Sequence, residues 1–386
     1  MASMAAYDVI VIGGGIIGSS ISLRLAQENL RVLLLESGEP GREASWAAAG
    51  MLSPAPDSPS AIPLVPFGRA SLALYPQFIA EIEDLSGQSV GCRTEGTIEV
   101  IFSGDAEREL STLIALHHGL GLPTEPLPID EARKMEPALG REARGAAFLP
   151  FEASLDTRTF VNATLAAAKS AGVEVRTHCK VTKILRDADR ATGVAAENGE
   201  KLFAGEVVLA AGAYSGKIAG VTIPAKPVRG QMVALCSTEA RLRRVLRSAD
   251  GYVVPRNDET PQLLVAGSTL EDAGFEKRVT PQGMEKVLGA AQELAPKLAG
   301  AEIVETWCGL RPGTPDHLPL LGPADMQGLT IATGHYRNGI LLAPITAKLV
   351  REWITQRRVS MDWGLFDPLR FAGAAHTRQT KTARGN

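Results

Sequence analysis

Gly13, Gly15 and Gly18 form G-x-G-x-x-G, directly after the near-continuous apolar run YDVIVI and at the head of a segment in which Ile17, Ile21 and Leu25 recur at helical spacing. A strand, a glycine turn and a helix in that order suit a dinucleotide pyrophosphate. The first glycine permits a tight turn, the second lets phosphate approach the backbone, and the third lets helix and strand pack closely. The helix N-terminus adds free N–H groups and a positive dipole end. Glu36 closes the second apolar run, RVLLLE, where a carboxylate can accept hydrogen bonds from a ribose diol. It would repel a 2′-phosphate, so NADP is disfavoured, and NAD and FAD stay undistinguished at this point.

The elements that must position these residues read as a β-α-β start and a parallel sheet. Asn29 sits where the helix turns back, a place where Asn tolerates the left-handed conformation. Five prolines between Pro54 and Pro66 mark a loop before a helical stretch ending near Leu85. One strand is expected over Cys92–Phe102, then two short helical patterns, then a helix capped by Asp156 and running to Ala171. Strand patterns return at VEVRTHCKVTKILRD and ATGVAAENGEKLFAGEVVLAAG, with Asn198-Gly199 as the hairpin turn. Lys226–Cys236, YVVPR and QLLVAG read as an antiparallel sheet, and buried strands with a long helix follow from Glu302. The fold class is therefore α/β, a Rossmann-type cofactor domain interleaved with an antiparallel-sheet α+β domain. The expected boundaries are 1–85, 150–222 and 305–368 for the first and 86–149 and 223–304 for the second. A disordered tail is expected over 369–386, which has no apolar periodicity.

Composition narrows the function classes. With 386 residues, 45% hydrophobic and 22% charged, the chain suits a two-domain globular enzyme. A formal net charge of −3 gives no long-range attraction to nucleic acid or anionic lipid. No apolar run approaches the roughly 20 residues of a membrane span, and the N-terminal run Val9–Ile12 is too short for a signal peptide. Cys92, Cys179, Cys236 and Cys308 are scattered, without CxxC or metal-ligand spacing, so no metal is expected and a reducing cytoplasm fits.

Four further segments narrow the cofactor: GREASWAAAGML (Gly41–Leu52), VVLAAGAYSG (Val207–Gly216), WCGLRPGTPDHLPLLG (Trp307–Gly322) and GHYRNGILLAP (Gly334–Pro344). Together with the glycine turn they resemble the D-amino-acid oxidase superfamily of FAD proteins, and within it the glycine oxidases, over roughly Tyr7–Ile354. The resemblance implies non-covalent FAD. A cysteine near the position of Cys308 anchors the flavin in sarcosine oxidases, but LRPGTPD here follows the glycine oxidase form. Cofactor contacts are implied for Gly13, Gly15, Ile16, Ile17, Gly18, Glu36, Ser37, Ser45, Ala48, Ala49, Gly50, Met51, Val181, Ala211, Gly212, Gly309, Arg337, Asn338, Gly339, Ile340 and Leu341. A helix starting near Gly339 would turn its positive end toward the flavin pyrimidine edge.

A planar guanidinium pairs bidentately with the carboxylate of an amino acid. The resemblance gives that role to Arg311 of LRPG, with Arg337 of HYRNG and the Tyr252 hydroxyl in support. The family carries Met at the position of Leu270, so a different pocket wall is expected there. His335 reads as a structural hydrogen-bonding group, and no general base is nominated. The implied reaction oxidises a small amino acid by hydride loss from the α-carbon, giving imino acid, then α-keto acid and ammonia, with molecular oxygen reduced to peroxide. The resemblance further implies a homotetramer and a place in thiamine thiazole synthesis. A D-amino-acid dehydrogenase, a sarcosine-type demethylase and a flavin-carrying subunit of a hetero-oligomer remain alternatives. Against the last stand the chain's own Arg311, Arg337 and Tyr252.

Overall fold

The computed structural model describes residues 7–371. The apolar run forms strand β1 (Tyr7–Ile12), the helical spacing forms α1 (Ile16–Ala26), and β2 (Val32–Leu35) pairs parallel to β1. Asn29 reverses the chain at φ 59°, as its side chain allows. β2 is buried along its whole length, which is why it lacks polar alternation. A one-turn helix α2 (Ala44–Ala47) and β3 (Met51–Leu52) precede the proline-rich loop and the long helix α3 (Val65–Ser86).

The next stretch departs from expectation. The single strand expected over Cys92–Phe102 is interrupted before Thr97, where Gly96 takes φ 83°. Its first part, β4 (Cys92–Arg93), joins a small sheet, and its second, β5 (Thr97–Ile101), joins a large one. Helices α4 (Ala106–Gly119) and α5 (Ile129–Met135) are the two expected helical patterns. Between and after them lie three short strands that carry too little periodicity to be read: β6 (Glu125–Leu127), β7 (Gly145–Leu149) and β8 (Ala153–Leu155). The Asp156 side chain then accepts from the N–H groups of Arg158 and Thr159 and starts α6 (Thr157–Ser170) as expected.

The remaining strands are β9 (Glu174–Arg176), β10 (Val181–Asp187), β11 (Arg190–Ala196), β12 (Lys201–Leu209), β13 (Lys226–Ser237), β14 (Val245–Arg247), β15 (Tyr252–Pro255) and β16 (Gln262–Gly267). Helix α7 (Pro281–Leu294), strands β17 (Glu302–Gly313), β18 (Leu320–Pro323) and β19 (Leu329–Thr333), and helix α8 (Gly339–Gln356) complete the order. In the first sheet β9, β2, β1, β12 and β19 run parallel, with antiparallel β18 beyond β19 and the β10-β11 hairpin attached to β12. The second sheet has the order β17-β13-β16-β15-β14-β5-β7-β6 and is antiparallel apart from β14 and β5. Residues 305–313, expected with the cofactor unit, belong to β17 and pair with β13 in this second sheet. The chain returns to the first sheet at β18.

Two cores hold the layers. Helices α1, α3, α6 and α8 pack on one another under the first sheet, burying Ile21, Leu23, Phe160 and Val350. Phe160 lies between Tyr75 and Phe78 of α3. Helix α7 covers the second sheet through Val287 and Leu294. Pro368–Phe371 forms a helical turn in which Arg370 pairs with Asp316 at 2.8 Å, so residues 369–371 of the expected tail are ordered. Residues 372–386 lie outside the described residues.

The contact between β1 and α1 leaves no room for a side chain at Gly18, where a Cβ would stand 1.9 Å from the Gly13 carbonyl oxygen. Gly18→Ala is expected to destabilise the fold by about 2 kcal/mol or more, because both partners are backbone. Urea unfolding measures this, and an unshifted midpoint would refute the packing account.

Candidate active site: a cavity between the two sheets

A cavity of about 560 Å³ opens at the carboxyl ends of β1, β2, β12 and β19 and extends to the face of the second sheet. That is where ligands bind in open parallel sheets. Gly13 takes φ 107°, and a Cβ there would stand 2.5 Å from the Ala210 carbonyl. The turn delivers Gly15, Ile16 and Ile17, the start of α1, to the cavity wall. Glu36 braces the turn. One carboxylate oxygen accepts the Gly14 N–H at 2.8 Å, and the other accepts the Gly38 N–H and the Ser37 hydroxyl at 2.9 Å each. Ser45 accepts the Ile16 N–H at 3.0 Å.

Small residues let α2 and the following loop close over this wall. Gly50 takes φ 81°, with Leu155 O only 2.0 Å from where a Cβ would be. The Ala48 carbonyl accepts the Thr157 hydroxyl, and the Ala47 carbonyl accepts Trp307 Nε1. Gly309 faces Ala47 so closely that a Cβ would come within 2.4 Å of the alanine Cβ. This contact joins the glycine turn side of the cavity to the second sheet.

The opposite wall is one face of β15, β16, β13 and β17. Register places Tyr252 opposite Gly267, Gly267 opposite Met232 and Met232 opposite Trp307. The Tyr252 hydroxyl donates to Met232 Sδ at 3.4 Å across Gly267. Four residues along β17 from Trp307, on the same face, comes Arg311. Its Nη2 donates to Ser268 Oγ at 2.7 Å and its Nη1 to the Thr269 carbonyl at 3.2 Å, and it has no carboxylate partner among the described residues. Burial holds the guanidinium below its ordinary value, the Tyr252 hydroxyl opposing this and Arg337 adding to it. A cation held only by uncharged acceptors keeps its charge available to an anion.

The other charged wall residues are mostly compensated. Arg337 pairs with Asp57 at 2.5 Å, Lys180 with Glu197 at 2.6 Å, and Glu43 with Lys277 at 2.9 Å. Lys217 lies 3.5 Å from the Phe275 ring centroid. Arg337 thus enters a structural pair whose partner the sequence did not identify, since Asp57 lies far away in the proline-rich loop. His335 is buried, shares a hydrogen bond of 3.0 Å with Thr346 Oγ1, and is pushed down to about 3 by burial. It is a neutral structural group. Cys308 does not line the cavity, and burial raises its thiol.

Of the residues expected at the site, Gly13, Gly15, Ile16, Ile17, Glu36, Ser37, Ser45, Ala48, Ala49, Gly50, Met51, Val181, Ala211, Gly212, Tyr252, Gly309, Arg311, Arg337, Gly339 and Ile340 all line the one cavity. Gly18 serves packing instead. Asn338 and Leu341 face a neighbouring pocket of about 80 Å³ shared with Asp57 and Arg337. Leu270 is 54% exposed and is not part of the cavity wall. Missed residues include Gly230, Met232, Lys217 and Tyr336, which also line it. Glycines inside the strand patterns VRGQM and LLVAGS were the available signal of close approach.

The wall suits a dinucleotide. Two helix N-termini, of α1 and α8, open onto the cavity through Gly15–Ile17 and Gly339–Ile340. The first three N–H groups of a helix have no partner within it and favour negative charge. No helix among the described residues is long and apolar enough to cross a membrane.

Comparison with known proteins gives the same cofactor. A family model described as "FAD dependent oxidoreductase" matches residues 8–353. The chain is 33% identical to the glycine oxidase of Geobacillus kaustophilus over 374 residues, covering 95% of this chain and 98% of that one. The crystal structure of that organism's glycine oxidase superposes with a TM-score of 0.89 at 32% identity, covering 94% and 98%. A bifunctional protein ThiO/ThiG of Trichormus variabilis is 33% identical over 384 residues, but the chain, though 98% covered, spans only 57% of its length.

Neutral His335 ties stability to pH. Its folded value, about 3, lies below the ordinary 6.5, so the unfolded chain takes up the proton first as pH falls. The linked stability is whole above about pH 6.5 and is lost as pH drops toward about 3. In urea unfolding between about pH 7 and pH 4, His335→Gln should flatten this decline by about 1 kcal/mol per pH unit. Parallel curves for wild type and variant would mean that the folded imidazole titrates normally.

Proposed function

The chain belongs to the FAD-dependent oxidoreductase family that includes the glycine oxidases, and from that premise we propose that it oxidises the C–N bond of glycine or another small amine, such as sarcosine or a small D-amino acid. The observation that carries this reading is Arg311, a cation without a carboxylate partner in the same cavity as the glycine turn. Of the five N–H donors of a guanidinium, one each is used on Ser268 and Thr269. The Tyr252 hydroxyl also bonds the guanidinium, and the donors left over are those offered to a substrate carboxylate. Tyr252 supplies a hydroxyl on the same wall, which Met232 and Met51 also line.

In this reading Gly13, Gly15 and the start of α1 hold the FAD pyrophosphate, Glu36 the ribose, and the start of α8 the pyrimidine edge. Bound FAD supplies the two-electron oxidant that accepts hydride from the α-carbon. The residues fix the carboxylate and orient the C–H bond. No side chain is assigned as general base, because His335 is buried, neutral and occupied by Thr346. The substrate is taken up as the free amine, whose lone pair assists departure of the hydride. The imino acid product hydrolyses to an α-keto acid and ammonia, and oxygen is reduced to hydrogen peroxide. Non-covalent FAD, a homotetramer and supply of product to thiamine thiazole synthesis belong to the same reading.

Peroxide formation with glycine, sarcosine, D-alanine and D-proline tests the proposal. Oxidation of these amines with an artificial dye but without peroxide would favour a dehydrogenase instead. Arg311→Met should raise KM for the preferred amine about a hundredfold or more at unchanged flavin content, since the carboxylate loses its charged partner. An unaltered KM would remove Arg311 from carboxylate binding. Glu36→Ala should purify largely colourless, because it loses both the ribose contact and the brace on the Gly14 N–H. Flavin content equal to wild type would show that neither matters to cofactor retention.

A further inference from the structure

The Arg311 guanidinium is held without being neutralised. Ser268 Oγ accepts from Nη2 at 2.7 Å and the Thr269 carbonyl accepts from Nη1 at 3.2 Å, both uncharged acceptors. Beneath it lies Gly230, where a Cβ would stand 2.0 Å from Nη1. The segment that carries the two acceptors is itself pinned. Thr269 Oγ1 accepts the Gln231 N–H at 2.9 Å. Fully buried Gln231 donates to Glu271 Oε1 at 2.7 Å and Thr280 Oγ1 at 3.0 Å, and accepts the Thr280 N–H at 2.8 Å. Glu271 is further fixed by Arg229 Nε at 2.5 Å and by backbone bonds in both directions between the two residues.

The contrast with Arg337 shows what a different acceptor would do. Arg337 has a carboxylate, Asp57, and its charge is compensated. We propose that Ser268 is a positioning residue that aims the Arg311 guanidinium at the substrate carboxylate while leaving its charge available, Gly230 providing the space in which it lies. This rests on the reading that Arg311 binds that carboxylate; Ser268 itself touches no substrate. A hydroxyl restrains the fork through one hydrogen bond without competing as a counter-ion. An alanine removes the restraint on Nη2 and leaves the Thr269 carbonyl on Nη1, and an aspartate quenches the charge.

The test uses the flavin-loaded enzyme, with acetate as a non-reacting carboxylate whose Kd is read from the visible flavin spectrum, and glycine for KM and kcat. Ser268→Ala is expected to raise acetate Kd and glycine KM about tenfold with kcat within about twofold, as loss of one hydrogen bond to a charged group implies. Ser268→Thr keeps the oxygen and should stay within about twofold of wild type. Ser268→Asp should weaken acetate about a hundredfold or more by giving Arg311 an internal partner. Wild-type acetate affinity in both Ser268→Ala and Ser268→Asp, with Arg311→Met still abolishing binding, overturns the role of Ser268 alone. Wild-type affinity in Arg311→Met overturns the reading beneath it. If Ser268→Ala fails to retain flavin, Thr and Asp decide between them: equal Kd values for those two overturn the proposal.

Discussion

The antiparallel ladder between β13 and β17 is the constraint on which the rest of the structure depends. It runs from Cys236 and Glu302 to Lys226 and Gly313, and Gly230, Met232, Gly309 and Arg311 within it line the cavity. Alternation along it puts Trp307, Gly309 and Arg311 on one face, beside Met232, Gly230 and Val228 of the neighbouring strand. A slip of one residue would turn that whole set away from the cavity. The same face meets α2 through the contact of Gly309 with Ala47, so the ladder sets the distance between the two walls as well as the residues displayed on one of them.

Charge around the cavity follows a simple division. Groups whose sign would compete with a small anion are compensated locally: Arg337 by Asp57, Lys180 by Glu197, and Glu43 by Lys277. His335 is kept neutral by burial. Farther out, half-buried Glu99 and buried Glu152 share Arg247, which also reaches Ser53 just after β3 and so ties the proline-rich loop to the second sheet. Against that background Arg311 contributes a positive charge without a carboxylate partner, as does Lys217 beside the Phe275 ring. Burying Arg311 without a carboxylate partner costs stability, and on the proposed reading an incoming carboxylate would offset that cost.

What the sequence disclosed was local. The strand, turn and helix around Gly13–Gly18 follow from residues within about twenty positions of one another, and Asp156 announces its helix by capping it. Arg311 was legible through the LRPG segment, and the structure places it on the cavity wall. The companions of Arg311 were not legible, because Gly230, Ser268 and Thr269 reach it only through strand pairing. Asp57, the partner of Arg337, escaped notice for the same reason. Gly96 was passed over inside an alternating pattern, and Leu270 was given a place in the wall although its side chain points largely to solvent. In each case a contact distant in sequence decided the outcome.

The bare backbone at Gly230 restricts how this scaffold can diversify. Any side chain there collides with the guanidinium across the strand, so a substitution at 230 is tolerated only after the arginine has been shortened or redirected. Conversely, once Arg311 is lost, nothing keeps position 230 small, and a later larger residue would bar the arginine from returning. Neighbours coupled in this way do not vary independently. Descendants of this chain that abandon carboxylate recognition should therefore do so by an ordered pair of changes, and the path back closes behind them.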